Sequence, residues 1–574
     1  MSGHLKSASV SFDPAVLRSS RMLRCLGGNI ETPGIRSRRF SNCRLQTFWL
    51  RTRKRGRALL DTLTRRVWLP LAVFAIAVVL AAMYHPFALM EGGDNAIWDY
   101  IAQCVLRGQV PYRDAIDNKT PGAAYLSALS MAVGKLFAAD SFIAARVLSV
   151  LLVCVLCVVV YLVGEVYLRS RLAAAIAALV PLLAPNLMVM MISGTRPKVP
   201  MMICGMLTLL FIARDRPFWA GFCSMLAFLF WQPGLMFSGA ALLIFSSYLT
   251  SWRDGRALKV ILGALIPLTT MLAYFAARGA LGDLWAWTIT YNYSVYYREG
   301  KEPPGVSLAR LWFLIQQETD GQTIWVKLGV AGMLWYAAKR IIERFRKSAP
   351  AGDAFREALL IPTGIFLIFC VINYPGADGL IVLLPFAGLF AAFIFAEIHQ
   401  WFGSRRLIES RPQLARLAAI VLIAPLSVVV FNAIKRARGF QIEEGRTLAD
   451  QRQEFQKIAE RLGPNDKIYV HGSLEILVLL NRPNMNPYIF LARGTDGFLA
   501  ARTPGGLDAV LAEMKAQAPK ILALSRLQNV ACREALTGWA ASQYEKLPLS
   551  FAHNSVYLAT NSEASEMTAP TSGK

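Results

Sequence analysis

Apolar stretches close to the ~20 residues that span a bilayer recur along most of this chain, at 68–88, 121–138, 142–166, 172–195, 197–213, 217–232, 235–251, 258–278, 325–339, 358–373, 378–397 and 417–434. Read as one crossing each, they predict twelve transmembrane helices. Two long connections interrupt them, 89–120 and 279–323, the second carrying Trp285, Trp287, Tyr291, Tyr293, Tyr296 and Tyr297. Loops longer than roughly 12–15 residues are usually functional or disordered, and this much Trp and Tyr suits an ordered loop at a membrane interface. The 279–323 loop is expected to cover the site or guide an acceptor, or to serve only as an anchor. After residue 434 the pattern changes. Positions 447–462 have helical spacing, with Phe455, Ile458, Ala459 and Leu462 on one face. A Gly463-Pro464-Asn465-Asp466 turn leads into a strand at 467–470, a second helix-then-strand unit occupies 507–516 and 520–524, and closing strands fall in 544–560. The last dozen residues read as loose.

Composition agrees with the pattern. A chain of 574 residues would suggest roughly four soluble domains from length alone. Yet 55% of its residues are hydrophobic, only 17% are charged, and the mean hydropathy is +0.41. Soluble proteins carry about 25% charged residues, so these values exclude a fully water-exposed surface, and disorder, collagen, coiled coil and a small disulfide scaffold with it. The fold class predicted is a polytopic α-helical membrane protein of about 11–13 transmembrane helices with a small C-terminal soluble α/β domain. Its parts are a basic, disordered cytoplasmic segment at 1–67, a transmembrane domain at 68–434 and an external, periplasmic α/β domain at 435–574.

Charge then decides the number of crossings. The net charge is +24, and residues 1–67 alone contribute +12, from fifteen Lys/Arg against Asp13, Glu31 and Asp61. No basic-aromatic module accompanies this charge, so nucleic acid is not the expected partner. Basic residues beside a span hold that end in the cytoplasm. The apolar run begins near Trp68, too late for a cleaved signal peptide. Twelve crossings would put the basic segments 339–356 and 405–416 outside, against the positive-inside rule. Segment 172–195 contains Pro181 and Pro185, which break helices. Dividing it gives thirteen crossings and makes every basic loop cytoplasmic; eleven is the alternative. Cys154 and Cys157 form a Cys-x-x-Cys inside an apolar run with no second pair nearby, which reads as packing. Cys104 and Cys532 can share a compartment, but sequence does not pair them.

With that topology, Asp94, Asp99, Asp114, Asp117, Lys119, Arg196, Lys198, Gln232 and Asp378 converge on the external face. A charged group in or near a bilayer is a functional candidate. A carboxylate with several cations suits a phosphate-bearing substrate: the carboxylate takes a proton from an attacking group, and the cations stabilise the leaving phosphate. Each residue also has a plainer reading. Asp94 can cap the helix beginning at Asn95, Asp99 can be a solvated helix position, and Lys119 can be an interfacial snorkel. Arg196 and Lys198 can pair with lipid phosphates, while Asp114 and Asp117 are ordinary turn residues. Agreement on one face is the signal.

The sequence Glu91-Gly92-Gly93-Asp94-Asn95, then Trp98 and Ala102, continues to Gly108-Gln109-Val110-Pro111-Tyr112-Arg113-Asp114 and Lys119-Thr120-Pro121-Gly122. It resembles the first external loop of GT-C glycosyltransferases, in the bacterial branch similar to protein O-mannosyltransferases and the lipid A aminoarabinose transferase. Arg146-Val147-Leu148-Ser149, Thr195-Arg196-Pro197-Lys198-Val199-Pro200 and Gln232-Pro233-Gly234 resemble later landmarks of that family, over about residues 68–560. The resemblance implies a sugar donor linked to polyprenyl phosphate, Asp94 as catalytic base, and Lys119, Arg196 and Lys198 at the donor phosphate. Asn95, Asp99 and Gln232 are secondary candidates. Asn95 stands where the family has a second acid, and Lys198 where it often has Asp, which weakens the case for a bound divalent metal. No metal ligands or cofactor are assigned. The expected partners are the donor, a lipid, glycan or protein acceptor, and membrane lipids, in the inner membrane with a cytoplasmic N-terminus. A lipid-linked-sugar flippase and a non-catalytic scaffold are the alternative functions.

Overall fold

The computed structural model describes residues 67–574 apart from 249–254, 300–302, 321–322, 347–350, 373–375, 404–412, 414–426, 429, 443–444, 528–529, 550–553 and 561–574. The basic segment 1–66, nearly all of 405–416, half of the predicted 417–434 span and the loose C-terminal dozen lie outside the described residues.

The helices follow the apolar stretches. They are α1 (Val67–Ala82), α2 (Asn95–Leu106), α3 (Gly122–Leu136), α4 (Ser141–Leu168), α5 (Arg171–Leu179), α6 (Pro185–Ile192), α7 (Lys198–Ala213), α8 (Pro217–Phe230), α9 (Leu235–Leu243) and α10 (Arg256–Ala277). Next come α11 (Leu281–Trp285), which continues in π-helical geometry through Ala286–Tyr296, then α12 (Pro304–Glu318), α13 (Ile324–Phe345), α14 (Leu360–Ile372), α15 (Leu380–Gly403) and α16 (430–439). Among the described residues four helical segments are long and apolar enough to cross a bilayer, and the bent α5–α6 pair adds a fifth. Close helix contact rests on small residues, as is usual between membrane helices. A Cβ on Gly221 of α8 would meet the Val260 carbonyl of α10, and one on Gly263 of α10 would meet the Phe218 carbonyl of α8.

Contacts sort the helix ends into two groups. At one end, Tyr167 bonds the Leu209 carbonyl, Tyr336 the Arg356 carbonyl, Lys339 pairs with Glu397 and Arg256 with Asp215. At the other, the C-terminal domain sits on the bundle. This assignment corrects two expectations. Helix α3 does not cross. It starts beside α8, where Thr120 bonds the Phe228 carbonyl, and it ends beside the start of α4, where Ser130 bonds the Ala144 carbonyl. Asp140, which caps α4, pairs with Arg452 of the C-terminal domain, so both ends of α3 lie at the same end of the bundle. Helices α5 and α6, bent 81° at the Pro181–Pro185 break, make one broken pass from Arg171, paired to Glu165, to Ser193, bonded by Asn95. Among the described residues, α3 therefore leaves the count of crossings, and 172–195 makes one broken pass rather than the two expected of it.

The C-terminal domain has the predicted alternation. Its elements are α17 (Leu448–Ala459), β1 (Ile468–His471), α18 (Glu475–Leu480), α19 (Thr495–Ala500), α20 (Gly506–Ala516), β2 (Ile521–Leu524), α21 (Arg533–Gln543), β3 (Tyr544–Lys546) and β4 (Ser555–Ala559). Thr447 and Asp450 form a capping box that starts α17. The sheet order is β1-β2-β4-β3, with β1 and β2 parallel and the other pairs antiparallel. Strands β1 and β2 are buried throughout, as a layer covered on both faces requires. Cys104 and Cys532 are both buried and free, so no disulfide joins the domain to the first loop.

The described residues of 279–323 are mostly helical where a loop was expected, and some of its aromatics bind the C-terminal domain. Tyr291 donates to the Arg493 carbonyl and meets the Thr495 hydroxyl, and Trp287 packs on Phe498. Trp285 and Tyr293 remain exposed.

Candidate active site

The site is built where the first loop, the α6–α7 turn, the turn before α15 and the end of β2 meet. Gly93, at φ +64°, turns the chain into α2, a conformation open to glycine at little cost. That turn places Asp94 at the N-terminal boundary of α2, and its side chain makes no capping bond. Instead its Oδ1 accepts from Arg526, 3.1 Å away and 432 residues later. Burial opposes charge on the Asp94 carboxyl, but Lys119, Arg196 and Arg526 together outweigh it and hold the group well below the usual carboxylate range. Lys119 sits with its ammonium 4.6 Å from the centre of the Trp98 ring. Burial opposes its charge too, and Asp94 and Asp117 override that and raise it.

The α6–α7 turn supplies two more cations. Asn95 fixes it by donating to Ser193, 2.7 Å away, with Gly194 pressed so closely on Asn95 that a Cβ there would clash. Arg196 donates to the Met190 carbonyl and lies 3.7 Å from Asp378. Lys198 pairs directly with Asp378 and lies 4.6 Å from the Trp231 ring. Asp378, from a different segment, thus sets a carboxylate beside Lys198.

Not every candidate belongs here. Asp99, expected as a solvated position, is fully buried and turned to α3, where it accepts from Ser127 at 2.7 Å. Gln232 ties loops together: its amide donates to the carbonyls of Asn118 and Thr288. Asn95 positions a turn. Asp114 binds Arg113 and the Val110 amide, as a turn residue does. Asp117 accepts from the amides of Asn118 and Lys119 but is buried beside Lys119. Sequence reasoning missed Arg526, whose signal was its place just past the carboxyl end of a predicted strand, where α/β sheets bind ligands. It also missed Glu318, buried at the end of α12 in the field of Arg196 and Asp378.

Asp99 carries a stability prediction. Burial raises its carboxyl to about 6, so the folded protein keeps this proton over a range where the unfolded chain, near 3.8, releases it. The stabilisation is full below the unfolded value, falls as pH rises through 6, and is flat above; the loss is on the order of 3 kcal/mol. Unfolding midpoints in detergent between pH 4 and 7 should show this decline, and Asp99→Asn should make it shallower by the Asp99 share.

The charges around Asp94 suit an anion rather than a metal. Three cations face the one carboxylate, Asp378 is occupied by Lys198, and Asn95 donates to Ser193. No group of three or more His, Cys, Asp or Glu side chains fit to hold a metal ion occurs among the described residues. What the arrangement provides is a carboxylate, Asp94, set within a region of positive potential.

No protein-family model matches the chain, and no curated protein sequence does. Solved structures do. ArnT from Cupriavidus metallidurans bound to undecaprenyl phosphate superposes with a TM-score of 0.55 at 14% identity, over 85% of this chain and 97% of that one. The same protein in the apo state gives 0.55 at 13% identity, over 86% and 98%. Archaeal oligosaccharyltransferase AglB from Archaeoglobus fulgidus, in complex with an inhibitory peptide and a dolichol-phosphate, gives 0.48 at 13%, over 88% and 75%. The likeness to ArnT establishes the GT-C fold, as the first-loop sequence implied.

Proposed function

We propose that this chain is a membrane glycosyltransferase that moves a hexose or pentose from a polyprenyl-phosphate carrier to a cell-envelope acceptor, at the periplasmic face of the inner membrane. The observation that carries this reading is Asp94, a carboxylate held among Lys119, Arg196 and Arg526 at the sheet end of a GT-C bundle. The solved ArnT relative binds undecaprenyl phosphate, the kind of anionic lipid that such a cationic region suits. The basic side chains at the opposite end, among them Arg214, Arg216, Lys339 and Arg344, support a cytoplasmic reading of that end by the positive-inside rule, and with it a periplasmic C-terminal domain.

In the reaction an acceptor hydroxyl oxygen attacks the anomeric carbon while the bond from that carbon to the phosphate oxygen breaks. The hydroxyl proton passes to Asp94. Attack opposite the leaving group inverts the anomeric centre, and the bond electrons leave with polyprenyl phosphate, whose charge Lys119, Arg196 and Lys198 stabilise. A carboxylate held this low is a weak base. A bound donor phosphate, however, cancels part of the positive field and raises Asp94, so base strength follows donor occupancy. The acceptor is a lipid, glycan or protein hydroxyl.

The test feeds polyprenyl-phosphate sugars and an envelope extract to membranes containing the protein, reading product mass together with free polyprenyl phosphate. Sugar transfer with stoichiometric release of the carrier supports the proposal. Movement of intact donor across the membrane without release would make the protein a flippase and sink it. Arg526 provides a second check. Arg526→Ala withdraws one cation from Asp94, so the acid limb of the kcat/KM profile should move to higher pH, and Arg526→Lys should move it back.

A further inference from the structure

Behind Arg526, outside the site, stands a buried histidine. His471 ends β1, and Arg526 lies two residues past the end of β2, the strand paired parallel to β1. Nothing of His471 is exposed, and both ring nitrogens are engaged. Nε2 accepts from the Leu491 amide at 2.8 Å. An amide N–H can only donate, so the ring proton sits on Nδ1, which donates to the Ser525 carbonyl at 2.8 Å. Burial pushes the ring's pKa down to about 4; Arg526 acts the same way, while the Ser525 carbonyl and Asp496 oppose. A sealed, neutral imidazole with both nitrogens committed is not free to ligate a metal or to take a substrate proton. What it can do is fix the group it touches.

That group is the peptide leading into Arg526. Ser525 is held at every polar atom. Its amide and hydroxyl donate to the His471 carbonyl, its Oγ accepts from the Ser473 amide, and its carbonyl takes the ring proton. Gly472 makes room for this contact: it sits at φ +96°, and a Cβ there would clash with Ser525 Oγ. Arg526 itself stands at φ +53°, a left-handed value that is costly for a residue with a Cβ, and the clamp on its preceding peptide keeps it there. From that backbone its guanidinium reaches Asp94 Oδ1 at 3.1 Å.

We propose that His471 is a positioning residue: by clamping the Ser525–Arg526 peptide it holds the Arg526 guanidinium against Asp94, and the Leu491 amide serves it by fixing the tautomer. This role presumes that the Asp94 region receives the donor, and two measurements keep the two claims apart. The first is hydrogen exchange of the full chain in detergent, read at single amides by mass spectrometry. Asparagine carries its amide nitrogen near the place of Nδ1, and glutamine carries its oxygen near the place of Nε2. His471→Gln should therefore release the Ser525 carbonyl and speed exchange at the Ser525 amide about fivefold, while Leu491 stays protected. His471→Asn should do the reverse. A residue with only a packing role would loosen both amides in both variants, and that result would overturn the proposal.

The second is the affinity of the full chain for undecaprenyl phosphate. Arg526→Ala withdraws one partly exposed cation from an anionic ligand, so binding should weaken roughly two- to fivefold. His471→Gln should weaken it by no more than that, and His471→Asn should bind as the wild type does. The double variant His471→Gln/Arg526→Ala should match Arg526→Ala, because a residue that acts through another adds nothing once the other is gone. Losses that multiply in the double variant, or wild-type affinity in His471→Gln, would overturn the proposal. A wild type that does not bind the lipid would overturn the donor reading instead, and the exchange pattern alone would then decide for or against His471.

Discussion

Asp94→Asn should lower sugar transfer by roughly 10²–10⁴-fold, the usual contribution of a general base, while the protein still folds and the unfolding midpoint drops only by the share of stability the three cations lend this charge. The side chain is partly exposed and makes no capping bond, so the helix does not depend on its charge. Asparagine keeps the shape and an oxygen for Arg526 to reach. What it loses is the site for the proton. Removing the one negative charge that Lys119, Arg196 and Arg526 share also leaves the region more positive, so the KM for the anionic donor should hold or fall while kcat collapses. That split distinguishes loss of a base from loss of binding. Transfer undiminished in Asp94→Asn would remove it from the mechanism altogether.

The largest stability effect should come from Arg146→Met. Arg146 is fully buried in α4, 2.9 Å from the equally buried Glu91, and it donates to the carbonyls of Pro86 at 2.7 Å and Met90 at 3.2 Å. One guanidinium thus holds the end of α1 and the start of the first loop. Methionine fills the space but leaves a carboxylate and two carbonyls unpaired, and breaking a buried pair this way costs on the order of 3–5 kcal/mol. Burial raises the Glu91 carboxyl more than Arg146 lowers it, so Glu91→Gln should cost much less. A thermal-shift series of the two single variants and Glu91→Gln/Arg146→Met would separate the pair from the carbonyl bonds. A neutral Arg146→Met would contradict the account.

Much of this architecture is legible in the amino-acid sequence. Membrane helices must satisfy every backbone group internally, so the apolar runs translate directly into α4, α7, α8, α10 and α15. Asp94, Lys119, Arg196, Lys198 and Asp378 meet as expected because helix parity constrains which loops share a face. Local patterns mislead where they cannot report direction. Segment 121–138 is apolar enough to cross, yet α3 begins and ends at the same end of the bundle, with Ser130 bonded to the Ala144 carbonyl and Gly134 packed against Ala144. Asp99 looks polar and solvated in sequence, but its fate depends on Ser127, a neighbour supplied by another helix. Arg526 carries no motif, and only tertiary structure brings it to Asp94.

The span of 432 residues between Asp94 and Arg526 also sets a schedule for biogenesis. Ribosomes add about 5–20 residues per second, so the first loop leaves the ribosome roughly 20 to 90 seconds before its distant guanidinium partner is made. Throughout that interval the carboxylate waits in an unfinished constellation. A polypeptide interrupted during synthesis would occupy membrane without acquiring the completed charge set, which makes completion of the whole chain a form of quality control.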